Sequence, residues 1–136
     1  MTPLFVDTSA FVALSDRRDK NHVAAKRILK SAARRRRPLL TSTYIVDETI
    51  TILRFKLGHD VAVEVGERLA STSWCRVLEV DPDIRAMAFQ IFVQYKDQAF
   101  SFTDCTSFAL MRAMGLIEAF TFDLGDFRAA GFVPAG

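Results

Sequence analysis

Residues 4–14 read LFVDTSAFVAL, and this stretch predicts a strand, then an acidic residue, then a helix. Leu4–Val6 form a short apolar run of β type, whereas Asp7, Thr8 and Ser9 are residues that often cap helices. Asp7 therefore carries a charge to the point where a buried strand stops and a helix begins. It could cap that helix, or it could be one of several carboxylates brought together to hold a metal ion.

The same alternation of strand and helix continues along the chain. Further apolar segments predict strands at PLLTS (38–42), CRVLEV (75–80) and EAFTF (118–122). Helical periodicity predicts helices at 22–35, 44–58, 60–71, 81–95 and 101–115, and a turn with a short helix at 123–131. Because apolar strands alternate with helices, we expect an α/β fold with a mainly parallel sheet between helices, and one domain spanning residues 1–136.

Two helices carry specific expectations about their ends and faces. Thr43 is expected to cap the helix that ends near Gly58. The helix within residues 81–95 is expected to bury one apolar face, formed by Ile84, Met87, Ala88, Ile91 and Phe92.

Composition and charge point to a water-soluble globular protein. Half of the 136 residues are hydrophobic, a quarter are charged, and the formal net charge is only +2. The two cysteines, Cys75 and Cys105, lack metal-site spacing and suggest a reducing compartment, with Cys105 expected in the core. The first residues do not resemble a signal peptide and no apolar run is long enough to span a bilayer, so we expect a cytoplasmic protein with no membrane partner.

Three aspartates are expected at one edge of the predicted sheet. Asp7 follows the first strand, Asp123 follows the strand of residues 118–122, and Asp104 lies in the first turn of a helix. Open parallel sheets bind ligands beyond the carboxyl ends of their strands. The three carboxylates are therefore expected to open onto one site.

Glu48 is the fourth candidate, and its position on a helix supports it. Ile45, Glu48, Thr49 and Ile52 share one stripe by the i, i+3, i+4 and i+7 rule, so Glu48 is expected to face the protein. Asp47 is expected to face solvent. A glutamate on an apolar stripe needs a partner, because an unpaired buried charge is very unfavourable.

Bringing these acids together has a large energetic consequence. Two carboxylates about 5 Å apart repel by about 3 kcal/mol at an effective dielectric constant of about 20. Several such pairs approach the whole stability of a domain, roughly 5–15 kcal/mol. The cluster therefore implies raised pKa values or a bound cation, and oxygen ligands favour a hard ion, Mg²⁺ or Mn²⁺, which acts on phosphates.

Each acid also has a purely structural interpretation. Asp7 can be a helix cap, Asp104 a first-turn acid favoured by the helix dipole, and Asp123 a turn residue. Glu48 can pair with an arginine, and we interpret Asp126 as a turn or cap residue. The convergence of four acids favours the metal-site interpretation over four separate structural roles.

Four motifs in order resemble those of the PIN domain family, in particular the VapC-type toxin ribonucleases. They are FVDTSAFVAL with Asp7, STYIVDETITIL with Glu48, KDQAFSFTDCTSFALM with Asp104, and AFTFDLGDFRAAGF with Asp123. The resemblance extends over nearly the whole chain. It implies a three-layer α/β/α sandwich and an endoribonuclease that depends on Mg²⁺ or Mn²⁺.

The resemblance also implies roles for individual residues. Asp7 and Asp104 would be the principal metal ligands and catalytic acids, Glu48 would bind the metal or orient the attacking water, and Asp123 would complete the pocket. The hydroxyl residues beside the acids would orient them; these are Thr8, Ser9 and Thr121. The substrate would be a structured tRNA or rRNA, cut by a water molecule that the metal activates, leaving a 5′-phosphate.

Partners follow from the same resemblance: a small antitoxin protein that inserts a peptide into the active-site groove, and a second copy of the chain. Arg17 and Arg18 are expected at the groove rim, in contact with RNA or antitoxin. The basic run Arg34–Arg37 has two equally supported interpretations, phosphate contact and a solvated helix end.

Two other functions are compatible with parts of the sequence. One is a nucleic-acid-binding or scaffold module that kept the fold and lost the chemistry, although all four acids are present. The other is a phosphatase, but DTSAF lacks the second aspartate, two residues on, that such enzymes of the haloacid dehalogenase type carry.

Overall fold

A computed structural model describes residues 2–71 and 73–136 of the chain. Within that part, five strands alternate with seven helices. In chain order they are β1 (Leu4–Val6), α1 (Thr8–Ser15), α2 (His22–Arg34), β2 (Leu39–Ser42), α3 (Thr43–Leu57), α4 (His59–Ala70), β3 (Arg76–Leu78), α5 (Pro82–Gln94), α6 (Phe102–Ala113), β4 (Glu118–Phe120), α7 (Leu124–Ala129) and β5 (Val133–Pro134).

All strand pairs are parallel, and the strands lie in the order β3-β2-β1-β4-β5. The central strand β1 pairs with β2 on one side and with β4 on the other, so Phe5 lies opposite both Leu40 and Ala119. All three residues of β1 are buried, because a parallel sheet covered by helices hides both faces of its middle strand. The expected α/β/α arrangement around a parallel sheet is confirmed.

The strands are shorter than predicted, and one was not predicted. The segment at 75–80 forms a strand only over Arg76–Leu78, and β5 was absent from the sequence prediction. Only two residues long and containing a proline, β5 offers no alternating pattern. It exists because the chain leaving α7 runs beside β4, where Val133 lies opposite Glu118.

The prediction that Thr43 caps α3 is wrong. Ser42 is the N-cap, and its hydroxyl accepts a 3.1 Å hydrogen bond from the backbone N–H of Ile45. Thr43 is the first helical residue. Both are hydroxyl residues at the end of β2, so the choice between them depends on where the backbone turns.

The predicted apolar face of α5 is only partly buried. Ala88 and Ile91 lie in the core, but the side chains of Met87 and Phe92 are exposed, at 39% and 46%. Phe89, at 55% exposed, stacks on Phe92 with ring centroids 6.5 Å apart. Because α5 is apolar on more than one face, periodicity alone could not identify the face that packs inward.

Aromatic packing fixes the elements that carry the acids of the last two motifs. Phe108 of α6 packs against Phe127 of α7, with ring centroids 5.1 Å apart, and against Phe132, at 5.5 Å. Cys105 is fully buried, as expected. In the described ranges no helix combines the length and the apolar character that crossing a membrane requires.

Candidate acidic active site

A cavity of about 500 Å³ opens beyond the carboxyl ends of the central strands. All four acids singled out in the sequence line it: Asp7 after β1, Glu48 on α3, Asp104 on α6 and Asp123 after β4. Asp7 and Asp123 follow strand ends, Asp104 lies in the first turn of α6, and Glu48 lies in the second turn of α3. The topology therefore brings together carboxylates that are up to 116 positions apart (123 − 7) in the sequence.

The side chain of Asp7 does not cap α1. Asp7 occupies the N-cap position, but its carboxylate accepts no capping hydrogen bond from that helix. One of its oxygens, Oδ2, instead accepts hydrogen bonds from the hydroxyls of Ser9, at 2.8 Å, and Thr121, at 2.9 Å. Oδ2 is therefore occupied, and Oδ1 is the oxygen that can meet a ligand.

The two hydroxyls that hold Asp7 are themselves fixed by the backbone after β4. Ser9 Oγ accepts a 2.9 Å hydrogen bond from the N–H of Phe122, and Thr121 Oγ1 accepts one of 3.0 Å from the N–H of Asp123. Each hydroxyl accepts from the main chain and donates its own hydrogen to Asp7. This chain of hydrogen bonds ties the end of β1 to the end of β4 and sets the orientation of the Asp7 carboxylate.

Asp7 is almost completely buried, with only 5% of its surface exposed. Burial raises its pKa above the ordinary value of 3.8, and the hydrogen bonds from Ser9 and Thr121 oppose that rise. Burying a carboxylate is unfavourable unless a proton or a cation compensates it.

Glu48 is held by a hydroxyl as well. Thr8 Oγ1 donates a 2.5 Å hydrogen bond to Glu48 Oε1, and so joins α1 to α3 across 40 positions. Glu48 is half-buried while Asp47 is exposed, as the helical stripe predicted. Among the described residues no arginine forms an ion pair with Glu48, so the alternative of an arginine partner is wrong.

Asp104 combines a structural contact with a position in the cavity. It forms a capping box with Ser101: its Oδ2 accepts from the N–H of Ser101, and its own N–H donates to Ser101 Oγ, both at 3.0 Å. Burial raises its pKa to about 6, opposed by the Ser101 N–H and reinforced by the charges of Asp7 and Asp126. Oδ1 of Asp104 is left for a ligand.

Asp126 belongs to the acidic group, and its interpretation as a turn or cap residue was incomplete. It does lie in the first turn of α7, but Asp104, Asp123 and Asp126 each offer a carboxylate oxygen within 4.8 Å of the other two. Burial, and then the charge of Asp126, raise the pKa of Asp123 to about 7. The i, i+3 spacing of Asp123 and Asp126 was a signal that could have found this pair.

The ligand set fits a divalent cation. The acids offer only carboxylate oxygens, and two of them, Asp7 and Asp104, each have one oxygen engaged and the other free. Burial raises the pKa values of Asp7, Asp104 and Asp123, and repulsion from neighbouring acids adds to the rise for Asp104 and Asp123; a cation would offset that repulsion. Hard ions such as Mg²⁺ and Mn²⁺ bind carboxylate oxygens, whereas softer metals prefer nitrogen or sulfur ligands.

Neither of the arginines expected at the rim is among the residues that line the acidic cavity. Arg17 lines a separate groove of about 530 Å³, together with Phe11, Lys26 and Trp74. Arg18 is exposed, and its backbone N–H donates to Asp16. The loop that carries them reaches the acidic cavity through Asp19 and Asn21 instead.

The chain is similar to characterised ribonucleases. It is 40% identical over 132 residues to the 23S rRNA-specific endonuclease VapC20 of Mycobacterium tuberculosis, covering 96% of this chain and 95% of that one. It is 26% identical over 137 residues to ribonuclease VapC26 of the same species, covering 98% and 96%.

Solved structures extend the likeness to the fold. The crystal structure of Mycobacterium tuberculosis VapC20, a sarcin-ricin loop cleaving toxin, superposes with a TM-score of 0.87 at 39% identity, over 96% of each chain. DNA-bound VapBC of Salmonella typhimurium shares the fold at 17% identity, with a TM-score of 0.69, covering 98% of this chain and 97% of that one. The PIN domain model matches residues 4–133. On its sequence and its fold alike, the chain belongs to the PIN domain family.

Proposed function

We propose that this chain is a metal-dependent endoribonuclease and the toxin of a toxin–antitoxin pair. The observation that carries the proposal is the convergence of Asp7, Glu48, Asp104 and Asp123 on one cavity beyond the carboxyl ends of the sheet. The likeness to VapC20 supports RNA as the substrate. We propose further that residues 1–136 act as one domain, supported by a hydrophobic core that joins β1, β2, β4 and their helices.

The proposed cofactor is Mg²⁺ or Mn²⁺, held by Asp7 and Asp104 with help from Glu48 and Asp123. A bound ion of this kind stabilises negative charge on phosphoryl oxygens and lowers the pKa of water. In this arrangement Asp7 and Asp104 each present one free oxygen toward the cavity. Glu48, oriented by Thr8, can accept a hydrogen bond from the attacking water and take up its proton.

Asp126 completes the site in this proposal. Its carboxylate lies beside those of Asp104 and Asp123, and its charge adds to the effect of burial, which raises the pKa of Asp123 to about 7. Asp123 then changes protonation state close to the pH at which an intracellular enzyme works, which suits a group that exchanges a proton for a metal ion.

For the substrate, we propose a structured ribosomal RNA in the cytoplasm. VapC20, which is a 23S rRNA-specific endonuclease by name, matches almost the whole length of the chain at 40% identity. Cleavage by an activated water would leave a 5′-phosphate on the downstream fragment.

Two protein partners belong to the proposal. We propose that an antitoxin peptide enters the acidic cavity, and that the groove beside α1, which Phe11, Arg17, Lys26 and Trp74 line, offers the antitoxin a further contact. The exposed apolar side of α5, with Phe89 and Phe92, is where we place contact with a second copy. Exposed aromatic patches on a small domain commonly mark protein–protein contacts.

Incubation of the purified protein with ribosomal RNA and Mn²⁺ tests the function. We expect defined fragments with 5′-phosphates, loss of cleavage in excess EDTA, and loss in Asp104→Asn. The matched control is Asp83→Asn, which removes an exposed first-turn acid from α5, away from the cavity. Full cleavage in EDTA would contradict the proposed chemistry, and intact RNA with every plausible substrate would favour a binding or scaffold module.

A further inference from the structure

A second polar cleft lies at the opposite end of the sheet from the acids. Its volume is about 390 Å³, and its walls include the first residues of β1 and β4. Four arginines line it: Arg27, Arg34, Arg35 and Arg37. We call it the arginine cleft. The acidic cavity lies beyond the strand ends, so the length of β1, about 10 Å for three residues, separates the two sites along the sheet.

Most of the positive charge in the arginine cleft is uncompensated. Arg37 pairs with Glu118, at 2.5 Å, and donates to the carbonyl of Thr2. Across residues 2–71 and 73–136, no carboxylate lies within 4.0 Å of the guanidinium groups of the other three arginines. A guanidinium that is neither paired nor engaged offers a planar fork of N–H donors, which matches a phosphate group.

The turn that follows α2 supports a role for charge here. Arg36 has φ 54°, in the left-handed region that residues other than glycine rarely adopt. At the corresponding turns after α3, α6 and α7 the chain uses Gly58, Gly115 and Gly131, each with positive φ. Arginine at a left-handed position makes the folded protein less stable than glycine would. What arginine adds there in return is its positive charge.

We propose that the arginine cleft binds backbone phosphates of the structured RNA, away from the bond that is cut. The inference rests on the proposed function for the identity of the RNA. The carboxylates of the acidic cavity repel the phosphates of an RNA that enters it. A positively charged cleft at the opposite end of the sheet would attract the same RNA and offset that repulsion. A cleft with three unpaired guanidinium groups is better matched to a phosphodiester chain, which carries repeating negative charges, than to a ligand with a single carboxylate.

Binding measured in EDTA isolates this cleft. Without a divalent ion the acidic cavity repels RNA, so the retained affinity reports other contacts. The probe is a fluorescent RNA duplex with a loop, titrated at several salt concentrations against wild type and Arg34→Gln/Arg35→Gln. The matched control, Arg54→Gln/Lys96→Gln, removes two exposed charges elsewhere.

We expect the cleft variant to bind roughly tenfold more weakly, and its plot of log affinity against log salt to lose about 1.4–1.8 in slope, because each phosphate contact contributes about 0.7–0.9. The control pair should change both far less. Equal losses in the two variants would overturn the proposal, since only net charge would then matter. An unchanged affinity in the cleft variant would overturn it as well.

A second experiment distinguishes RNA from free phosphate as the ligand of the arginine cleft. Orthophosphate is titrated in thermal melts of wild type and the cleft variant. Stabilisation by RNA at micromolar concentration, with none by orthophosphate at the same concentration, supports a polyanion site. Equal stabilisation by the two would overturn the RNA assignment and indicate a small-anion site.

Arg36→Gly keeps the test independent of folding defects. We expect the variant to melt roughly 2–5 °C higher, because glycine relieves the left-handed backbone. It should nevertheless bind RNA more weakly in EDTA, since a cationic side chain beside the cleft is lost. A gain in stability with no loss of binding would contradict the role of Arg36. None of these measurements requires cleavage, so failure of the nuclease proposal would be seen separately.

Discussion

Thr121 donates a 2.9 Å hydrogen bond from Oγ1 to Oδ2 of Asp7, although 114 positions separate the two residues. The same hydroxyl accepts from the N–H of Asp123, so one side chain connects the carboxylate of Asp7 to the backbone of Asp123. Thr121 is completely buried at this junction of β1 and β4. The contact engages Oδ2 of Asp7 and leaves Oδ1 without a hydrogen bond from Ser9 or Thr121.

Thr121→Val should therefore damage the site more than its small change in volume suggests. Valine cannot donate to Asp7 or accept from Asp123, and an unsatisfied buried polar group costs about 1–3 kcal/mol. We expect metal affinity or cleavage to fall roughly 10–100-fold, as when an outer hydrogen-bond partner of a metal ligand is removed. Metal titration and cleavage assays measure this loss, and Thr121→Ser should restore most of it; failure of serine to do so would point to packing rather than orientation.

Asp7→Asn should stabilise the metal-free protein and abolish its response to metal. The substitution removes a buried charge while an amide oxygen can still accept from Ser9 and Thr121. We expect a higher melting temperature than wild type in EDTA, little gain on adding Mn²⁺, and at least about 100-fold less cleavage. Thermal melts with and without Mn²⁺ decide this. If Asp7→Asn melts at a lower temperature than wild type, and Mn²⁺ does not change the melting temperature of wild type, Asp7 has only a structural role.

Stability without metal should decrease as pH rises. The pKa values of Asp104 and Asp123 are raised from 3.8 to about 6 and about 7, so the folded state binds more protons than the unfolded state between those limits. Their contribution to stability is fully present below about pH 4 and is lost as pH rises through 6 and 7. Melts in EDTA from pH 5 to 8 should show this fall.

Metal affinity should show the opposite dependence on pH. The ion competes with protons for the same oxygens, so Mn²⁺ binding should strengthen as pH rises through 6 and 7. The variant Asp104→Asn/Asp123→Asn should have a flatter stability profile in EDTA than wild type. An identical profile in the two proteins would mean that other groups titrate.

Asp126→Asn should shift the titration of Asp123 to lower pH. The charge of Asp126 is the second cause of the raised pKa of Asp123, after burial. Removing it lowers that pKa, so the pH at which Mn²⁺ binding reaches half its maximum should also fall. Asp83→Asn, which removes an exposed acid of α5, is the control. An unmoved midpoint would separate Asp126 from the site.

Phe89→Glu should weaken the proposed self-association. Phe89 and Phe92 stack on the exposed side of α5, and a charge there opposes burial against a second copy. We expect sedimentation velocity to shift toward monomer while the melting temperature changes little, because Phe89 is exposed in the single chain. Phe55→Glu is the matched control, since Phe55 is 86% exposed on α3. Equal behaviour of the two variants would place the interface elsewhere.

Local sequence patterns were enough to find four of the five acids. Asp7 was recognised because an apolar run ends at it, and Glu48 because helical periodicity puts it on a stripe with Ile45 and Thr49. Both signals depend on neighbours within a few residues, so they survive without knowledge of the fold. The parallel sheet followed from the alternation of strands and helices, and it predicted which edge the acids share.

Predictions from local sequence patterns failed where contact with a distant segment of the chain determines the structure. The strand β5 forms only because β4 offers it an edge. The outward face of α5 depends on which of its sides packs against α6. Asp126 joins the acids because α7 places it beside Asp104, which the sequence alone could not measure. The loop of Arg17 likewise turns that side chain to a different groove.

The sequence by itself determined the order of strands and helices apart from β5, the membership of the acidic group apart from Asp126, and the chemistry that oxygen ligands favour. Only the tertiary structure decided which oxygen of Asp7 is free, which hydroxyls hold it, and which end of the sheet collects the arginines. The physical reason is range: periodicity and capping act over one or two helical turns. Hydrogen bonds such as that from Thr121 to Asp7 require the sheet to bring distant segments within 3 Å of each other.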